Sequence, residues 1–386
     1  MMQGVSVEIA EKGLYLTTPS VGGRARRHYF NYWWLRDNCP SSFSSVSGDR
    51  AFDITTLTSD VRAGAARVEG GSLTIDWAAD GHRSRYDLNW LTAWAEKPGH
   101  DDPADLPQRL WRSGDDAVPA CFEFAAIRQD PPTRRAYFEA ILRDGLALVD
   151  GMPDTPEGIT DLAEIAGHVR ATFSGVYFNV KAYPDPAGAA YSAAALEPHT
   201  DNPCETYPPG IQYLHCRINN ATGGESTFAD GAAVAADLKA SWPEAYQLLA
   251  THEIPFRFSH ELMDMRARQR VILADETGRV SGLTVSQHMA GVFDLDQVLL
   301  DDYYPAFQHF LKMLRDPAYE ISFSLQAGQC VVFDNQRTVH GRRTFDAQSG
   351  ARLLRGCYTD RGELRSRYRV LVRDGRITDK RPQGSD

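Results

Sequence analysis

The stretch EPHTDNPCETYPPGIQYLHCR, residues 197–217, joins a histidine–x–aspartate pair to a proline-rich turn and an apolar strand. In an extended segment, residues i and i+2 point to the same side, so His199 and Asp201 can share one ion. A second such pair, His100 and Asp102, lies in a Pro/Gly/Asp-rich segment that has no other feature of a site. The pair at 199–201 therefore needs further ligands before it indicates a metal site.

The composition is that of an ordinary globular protein, with 386 residues, of which 42% are hydrophobic and 24% are charged. A net charge of −10 argues against a nucleic-acid partner and mildly favours a cationic ligand. The six cysteines form no CxxC pair, no apolar run approaches the roughly 18 residues of a membrane span, and MMQGVSVEIAEKG lacks the features of a signal peptide. We therefore expect a cytoplasmic small-molecule enzyme with free thiols and no membrane partner.

Two regions of different organisation are predicted, residues 1–96 and 122–386, with a linker at 97–121. In SLTIDW (72–77) apolar and polar residues alternate as in a half-buried strand, which indicates a small β-rich N-terminal domain.

The larger region mixes helices with short apolar strands. DPPTRRAYFEAILRDG (130–145) begins with an Asp cap and proline, as helices do, and Ser241–Glu244 forms a capping box that predicts another helix start. The predicted strands are LALVD (146–150), GIQYLHCR (210–217), QCVVFDN (329–335) and RLLRGCYTD (352–360). This mixed α/β pattern is typical of a β-sandwich or barrel flanked by helices.

A third metal ligand and a counter-charge are available near the C-terminus, in VVFDNQRTVHGRR (331–343) and on the following strand. His340 would complete the facial triad of two histidines and one carboxylate, which suits non-haem Fe(II) and leaves three positions open for a 2-oxoacid and dioxygen. Arg352 is predicted to bind the far carboxylate of that oxoacid. Strand alternation places Tyr358 on the same face as Arg352, and Arg355 on the opposite face as the alternative clamp.

Seven motifs in a fixed order resemble those of the γ-butyrobetaine and trimethyllysine hydroxylases, which are Fe(II)/2-oxoglutarate dioxygenases. These motifs are WLRDNCP (34–40), HTDNP (199–203), PPGIQYLHC (208–216), GGEST (223–227), VVFDN (331–335), HGRR (340–343) and RGCYTD (355–360). The resemblance implies a double-stranded β-helix (jelly-roll) core with flanking helices, a small N-terminal domain on each subunit and a homodimer.

The same resemblance implies Fe(II) as cofactor and 2-oxoglutarate and O2 as cosubstrates. The implied iron ligands are His199, Asp201 and His340, and the implied 2-oxoglutarate ligands are Arg352 and Ser226 or Thr227.

The N-terminal domain departs from the family pattern at its zinc site, which usually has three closely spaced cysteines and a histidine. Cys39 and His82 are present, but Ser41 and Ser44 stand where the other cysteines fall. Because one thiolate and one imidazole are too few for a structural zinc site, we predict that this chain binds no zinc.

The substrate pocket of the family holds a trimethylammonium group between aromatic rings through cation–π attraction. The matching positions here are Phe178, Tyr191 and Tyr358, whereas Ser174 replaces a common tyrosine. The resemblance therefore implies a small cationic or zwitterionic substrate, although core packing is the alternative role of these rings.

The anion-binding positions differ from those of the γ-butyrobetaine hydroxylases, because Gly188 and Ser286 replace asparagines that hold the substrate carboxylate. We expect another anion on the substrate, and favour 2-(trimethylammonio)ethylphosphonate over γ-butyrobetaine. Asn202, Gln287, His288 and nearby arginines would supply the hydrogen-bond donors.

Two other functions remain open at this stage. A peptide hydroxylase would need an open groove, whereas the Pro/Gly/Ala-rich segment 180–198 resembles a lid over a small pocket. A metal-free binding module would not need the triad, and an iron titration would distinguish it.

Overall fold

The computed structural model describes residues 4–19, 25–58, 60–96, 102–115, 118–181 and 193–374. The chain divides into two compact units, Met1–Asp102 and Pro103–Asp386. All six cysteines are free thiols. Within the described ranges, no helix combines the length and the apolar character that a membrane crossing requires.

The first unit contains two three-stranded antiparallel sheets and two short helices. The first sheet comprises β1 (Ser6–Ile9), β2 (Gly13–Thr18) and β3 (Arg26–Asn31), and α1 (Tyr32–Asp37) follows it. The second comprises β4 (Ala63–Glu69), β5 (Ser72–Trp77) and β6 (Arg83–Asp87), and α2 (Leu88–Glu96) follows it. The predicted strand in SLTIDW is confirmed as β5, in which Leu73, Ile75 and Trp77 are buried on one face.

Cys39, Ser41 and His82 lie together in this unit. The Cys39 Sγ atom lies 3.1 Å from Ser41 Oγ and 3.5 Å from His82 Nε2, and Ser41 Oγ lies 3.2 Å from the same ring nitrogen. Ser44 instead accepts hydrogen bonds from the backbone of Val46 and Ser47. Ser41 thus places a neutral hydroxyl beside the Cys39 thiol and the His82 imidazole.

The second unit begins with β7 (Ala120–Glu123), α3 (Phe124–Gln129), α4 (Pro131–Asp144), β8 (Leu146–Asp150), α5 (Gly158–Ala166), β9 (Phe178–Val180), β10 (Leu196–His199), β11 (Ile211–Asn219), β12 (Thr222–Gly223), β13 (Ser226–Asp230), α6 (Gly231–Ser241) and α7 (Pro243–Thr251). It continues with β14 (Glu253–His260), β15 (Met263–Arg270), β16 (Ile272–Ala274), β17 (Val280–Leu283), α8 (Gln297–Leu314), β18 (Glu320–Phe323), β19 (Cys330–Asp334), β20 (Thr338–Arg342), β21 (Phe345–Asp346), β22 (Arg352–Thr359) and α9 (Arg361–Asp374).

Two sheets of the second unit form a jelly roll. The six-stranded sheet has the order β7-β8-β19-β11-β22-β9, and the four-stranded sheet has the order β10-β20-β13-β18. All neighbouring strands are antiparallel except β7 and β8. The sheets pack through apolar side chains between them, where Phe228 of β13 meets Phe333 of β19 at 5.6 Å between ring centroids. The mixed α/β jelly roll expected from the sequence is therefore observed.

Helix α4 shows how local sequence signals set the frame of this unit. The Asp130 side chain accepts a hydrogen bond from the Thr133 backbone, proline follows as the first helical residue, and Gly145 ends the helix in the left-handed region with a φ of 74°. Tyr137 and Phe138 are buried on the face that packs against the six-stranded sheet.

One predicted helix boundary is wrong. Ser241 ends α6 and donates its hydroxyl to the Asp237 carbonyl at 2.7 Å, so it does not cap the next helix. Helix α7 begins at Pro243 after Trp242. The capping-box pattern failed because the preceding helix runs on to the residue that would have formed the cap.

Candidate active site

A histidine pair and an aspartate converge at one end of the four-stranded sheet. His199 is the last residue of β10, and it lies directly opposite His340 of β20 in the strand register. The Nε2 atoms of His199 and His340 lie 3.1 and 3.7 Å from Asp201 Oδ1. Neighbouring ligands of an octahedral first-row metal, each about 2.1 Å from the ion, lie about 3 Å apart. The three side chains therefore have the spacing of a facial metal-binding set.

The turn that carries Asp201 is fixed by backbone contacts. The Asp201 amide donates to Asn335 Oδ1 at 2.7 Å, and Asn335 Nδ2 donates to the Asp201 carbonyl at 3.1 Å. Thr200 exchanges hydrogen bonds with the backbone of Val285. A turn held from both sides presents its carboxylate with little freedom, which favours a preformed site.

The protonation states in this cluster suit metal ligands. Burial raises the pKa of the Asp201 carboxyl, but His340, His199 and the Tyr358 hydroxyl lower it to well below its ordinary value. Burial, together with His199, lowers the pKa of His340 to about 3. His199 Nδ1 lies 2.9 Å from the Glu197 carbonyl, a contact that leaves Nε2 facing Asp201. An ionised carboxylate, as at Asp201, and a neutral imidazole, as at His340, are the forms that bind metal.

Arg352 begins β22 and is buried beside the triad. Its Nη2 lies 3.5 Å from the Gly224 carbonyl, while its Nε and Nη1 are buried without a hydrogen-bond partner among the described residues. Burial, together with the neighbouring Arg342, lowers the pKa of Arg352 to about 10. Arg355 lies on the opposite face of the strand, with its guanidinium 4.6 Å from the centre of the Tyr177 ring. The geometry thus gives Arg352 two buried donors available to an anion.

A cavity of about 530 Å³ connects the triad with Arg352. On one side, the rings of Phe178 and Tyr358 stack at 5.2 Å between centroids, and on another the rings of Phe173 and Phe258 stack at 4.9 Å. The cavity therefore offers a cluster of metal-ligand type, a guanidinium with two donor nitrogens that have no partner among the described residues, and flat aromatic surfaces in one space.

The residue range 117–358 matches the family model described as "Taurine catabolism dioxygenase TauD, TfdA family". The chain belongs to this family. It is a 2-oxoglutarate-dependent non-haem iron dioxygenase, which uses Fe(II) as cofactor and 2-oxoglutarate and O2 as cosubstrates. The cluster at 199, 201 and 340 has the donor set that Fe(II) requires, and the buried guanidinium of Arg352 suits a carboxylate.

The alignments with curated relatives cover most of the length of this dioxygenase. It is 35% identical to the γ-butyrobetaine dioxygenase of Pseudomonas sp. (strain AK-1) over 350 residues, which cover 89% of this chain and 91% of the relative. It is 26% identical to the mitochondrial trimethyllysine dioxygenase of Rattus norvegicus, over 89% of this chain and 82% of the relative. Among solved structures, AAD-2 in complex with Mn(II) and N-oxalylglycine has a TM-score of 0.49 and 17% identity, with coverage of 60% of this chain and 90% of AAD-2.

The two candidates for the second 2-oxoglutarate ligand lie on opposite faces of β13. Ser226 lines the cavity of the dioxygenase, on the face that Phe228 buries between the sheets. Thr227 shares its face with Ala229, which packs into the helical core formed around α6, α7 and α8. Strand alternation therefore leaves Ser226 as the cavity-facing candidate.

The residues expected to bind the substrate occupy different places. Phe178, Tyr358, Asn202 and His288 line the cavity, and the His288 ring lies 5.0 Å from that of His199. The expected position Gln287 does not line it, because its exposed side chain accepts a hydrogen bond from Arg315 at 2.8 Å. Tyr191 and Gly188 fall outside the described residues.

Several cavity residues were not identified from the sequence. Gln212 is fully buried in β11, and Arg257, Phe258 and Ser259 reach the cavity from the β14–β15 hairpin. Gln212 carried a usable signal, since it is a polar residue between Ile211 and Tyr213 in an apolar strand. The sequence of the β14–β15 hairpin gave no comparable signal, because its turn lacks the Asn-Gly or Asp-Gly pair of a tight hairpin.

Proposed function

We propose that this dioxygenase hydroxylates a small trimethylammonium compound, and that its substrate is 2-(trimethylammonio)ethylphosphonate. The observation that carries the proposal is one cavity that combines the triad, the stacked rings of Phe178 and Tyr358, and further polar side chains.

We assign Fe(II) binding to His199, Asp201 and His340, and binding of the far carboxylate of 2-oxoglutarate to Arg352, assisted by Ser226. The bound iron and oxoacid supply the chemistry that turns 2-oxoglutarate and O2 into succinate, CO2 and a hydroxyl group on the substrate. The assignment of Arg352 is supported by its two unpartnered buried donors, because an unpaired buried charge is costly until an anion joins it.

The trimethylammonium group would lie against Phe178 and Tyr358, with Tyr191 as a third ring on sequence grounds alone. Methylated ammonium groups are held by aromatic faces, because the ring quadrupole attracts a cation that has no hydrogen-bond donor. The relatives support this substrate class, since the names γ-butyrobetaine dioxygenase and trimethyllysine dioxygenase both denote enzymes for trimethylammonium compounds.

The phosphonate end would be bound by Asn202, His288, Ser259 and Arg257, which line the same cavity. We leave Gln287 out of this set because its exposed side chain does not line the cavity. A tetrahedral phosphonate has three acceptor oxygens and more charge than a carboxylate, so it calls for more donors and for an arginine. Gly188 and Ser286 stand where the γ-butyrobetaine hydroxylases have two asparagines that bind the substrate carboxylate. This replacement supports a substrate whose anionic group is not a carboxylate.

Hydroxylation of γ-butyrobetaine is the second candidate, and the 35% identity to a γ-butyrobetaine dioxygenase favours it. Both compounds should be assayed side by side at equal concentration, with the hydroxylated product measured directly, because uncoupled consumption of 2-oxoglutarate would imitate turnover. Asp201→Ala protein serves as the blank. Faster coupled hydroxylation of γ-butyrobetaine would reverse the order, and rejection of both compounds would leave only the reaction class.

The resemblance also supports a homodimer. The sequence pattern supports a domain organisation with a linker at 97–121 between domains at 1–96 and 122–386. Light scattering during size-exclusion chromatography would give the mass in solution, for comparison with the 42.9 kDa of one chain.

A further inference from the structure

The two oxygens of the Asp201 carboxylate have different surroundings. Oδ1 faces the Nε2 atoms of His199 and His340. Oδ2 points away from them and accepts two hydrogen bonds of 2.7 Å, one from Gln212 Nε2 and one from the Tyr358 hydroxyl. One oxygen is therefore available to a metal, and the other is already occupied by the protein.

The two donors are placed by the sheet itself. Gln212 of β11 and Tyr358 of β22 are direct partners in the antiparallel register, so their side chains leave the six-stranded sheet side by side on the same face. Both side chains are buried. Because an ionised carboxylate can only accept, the Tyr358 hydroxyl is the donor in its 2.7 Å hydrogen bond to Asp201.

Hydrogen bonds of this kind restrict how a carboxylate binds metal. A carboxylate can offer one oxygen or both, and it can rotate between these modes when neither oxygen is held. Two short charge-assisted bonds to Oδ2 oppose that rotation and keep Oδ1 directed at the ion. The pair therefore favours a single-oxygen ligand, which keeps open a position that a second carboxylate oxygen would take.

Tyr358 has a second contact that Gln212 lacks. Its ring stacks on Phe178, with a centroid distance of 5.2 Å and an angle of 25° between the planes, at the cavity surface. A ligand that presses on this ring pair also acts on the hydroxyl that holds Asp201. Tyr358 thus contacts both the Asp201 carboxylate and the Phe178 ring.

We propose that Gln212 and Tyr358 are positioning residues that hold Asp201 as a single-oxygen metal ligand, and that Tyr358 also links the substrate-binding rings to that ligand. This inference rests on the proposed assignment of Asp201 to the metal, and it adds two residues that contact the ligand without contacting the ion.

The first test measures metal binding without substrate, by titrating the metal-free protein with Mn(II) or, under anaerobic conditions, with Fe(II). Tyr358→Phe removes the hydroxyl and keeps the ring, and Gln212→Met removes the amide at similar volume. We expect each variant to bind the metal about 10- to 100-fold more weakly, the range that loss of a residue supporting a ligand commonly produces.

Tyr213→Phe is the matched control. Tyr213 is the next residue on β11, is equally buried, and directs its hydroxyl to Thr359 Oγ1 at 3.3 Å on the opposite face of the sheet. This variant loses a buried hydroxyl from the same strand. We expect its metal affinity to stay within about twofold of that of the original protein, a much smaller change than the loss of a residue that supports a ligand produces.

The second test measures coupling, as the ratio of succinate to hydroxylated product. Tyr358→Phe should raise this ratio at saturating metal, because the ring pair no longer acts on Asp201, whereas Gln212→Met should raise it less.

The possible outcomes separate the inference from the assignment beneath it. If Asp201→Ala binds Mn(II) as tightly as the original protein, the metal assignment fails and the inference fails with it. If Asp201→Ala loses the metal but Tyr358→Phe and Gln212→Met keep full affinity, the positioning role alone is refuted. If Gln212→Met unfolds at a lower temperature than Tyr213→Phe, Gln212→Leu replaces it, and the same loss of metal affinity is expected.

Discussion

Replacement of Arg352 by methionine should have opposite effects on the stability of the enzyme and on its use of 2-oxoglutarate. Arg352 is a buried cation whose Nε and Nη1 have no partner among the described residues. Its pKa of about 10, in place of 12.5, corresponds to about 3 kcal/mol by which burial and Arg342 disfavour the charged form. Arg352→Met removes that unfavourable charge at similar length, so the metal-free protein should unfold at the same temperature or a higher one.

The same substitution removes the proposed partner of the far carboxylate of 2-oxoglutarate. Breaking a buried ion pair by removal of one partner costs about 3–5 kcal/mol, so the dissociation constant of 2-oxoglutarate should rise by about 150- to 5,000-fold. Arg352→Lys keeps the charge but not the bidentate geometry. Its dissociation constant for 2-oxoglutarate should therefore lie between those of the original protein and Arg352→Met. Anaerobic titration of the Fe(II)-loaded protein with 2-oxoglutarate measures the affinity directly, and thermal unfolding of the metal-free protein measures the other effect.

Arg355→Met is the control for this experiment, because Arg355 lies three residues along the same strand with its guanidinium over Tyr177 on the other face. It should bind 2-oxoglutarate normally. If Arg355→Met weakens 2-oxoglutarate binding and Arg352→Met does not, the assignment of Arg352 as the carboxylate-binding residue, which rests on strand alternation, is wrong. A large loss of stability in Arg352→Met would instead show that the guanidinium has a structural partner.

Two further predictions concern zinc and acid stability. Elemental analysis of iron-free protein should give no stoichiometric zinc, because Ser41 and Ser44 cannot supply the missing thiolates; one tightly held zinc per chain would contradict this. His215 is fully buried in β11 without a partner for either ring nitrogen among the described residues, and burial, followed by Arg217, lowers its pKa to about 4, against a smaller opposing effect of Asp154. The unfolded chain therefore binds a proton that the folded one excludes, and the free energy of unfolding should fall by about 3 kcal/mol as the pH drops from 6.5 to 4. When measured by denaturant unfolding, the free energy of unfolding should depend less on pH across this range in His215→Met than in the original protein. An equal pH dependence in both proteins would refute this role of His215.

The parts of the fold that were predictable carried strong local signals. Strand β5 alternates strictly, and helix α4 has a capping aspartate, an initial proline and a terminal glycine. Helix α9 was not predicted, although Leu364, Tyr368 and Leu371 are buried along it, because arginines separate these residues and dilute the apolar stripe. Local pattern is a weak guide where tertiary packing, and not the segment itself, stabilises the helix.

The site was predictable to the extent that its residues share a strand face or a motif. His199 and Asp201 are two apart, and the alternation of β22 orders Arg352, Tyr358 and Arg355 correctly. The cross-strand contact of Gln212 with Tyr358 depends on the register of β11 against β22, which includes a bulge between Cys216 and Ile218. A register shift of one residue would turn every side chain to the other face, so a contact of this kind follows from the pairing and not from either strand alone.

The distribution of charge in the cavity gives each ligand its own end. Arg352 lines the cavity and has two buried donor nitrogens without a partner among the described residues, so its positive charge is available to an anion. A trimethylammonium group would be repelled there and attracted to the neutral rings of Phe178 and Tyr358. The dicarboxylate would be drawn to the arginine end. Asp201, which lines the same cavity, has one oxygen that faces the two histidines and one that accepts a hydrogen bond from Tyr358, so a substrate oriented by its charge would rest on the tyrosine that contacts the proposed metal ligand.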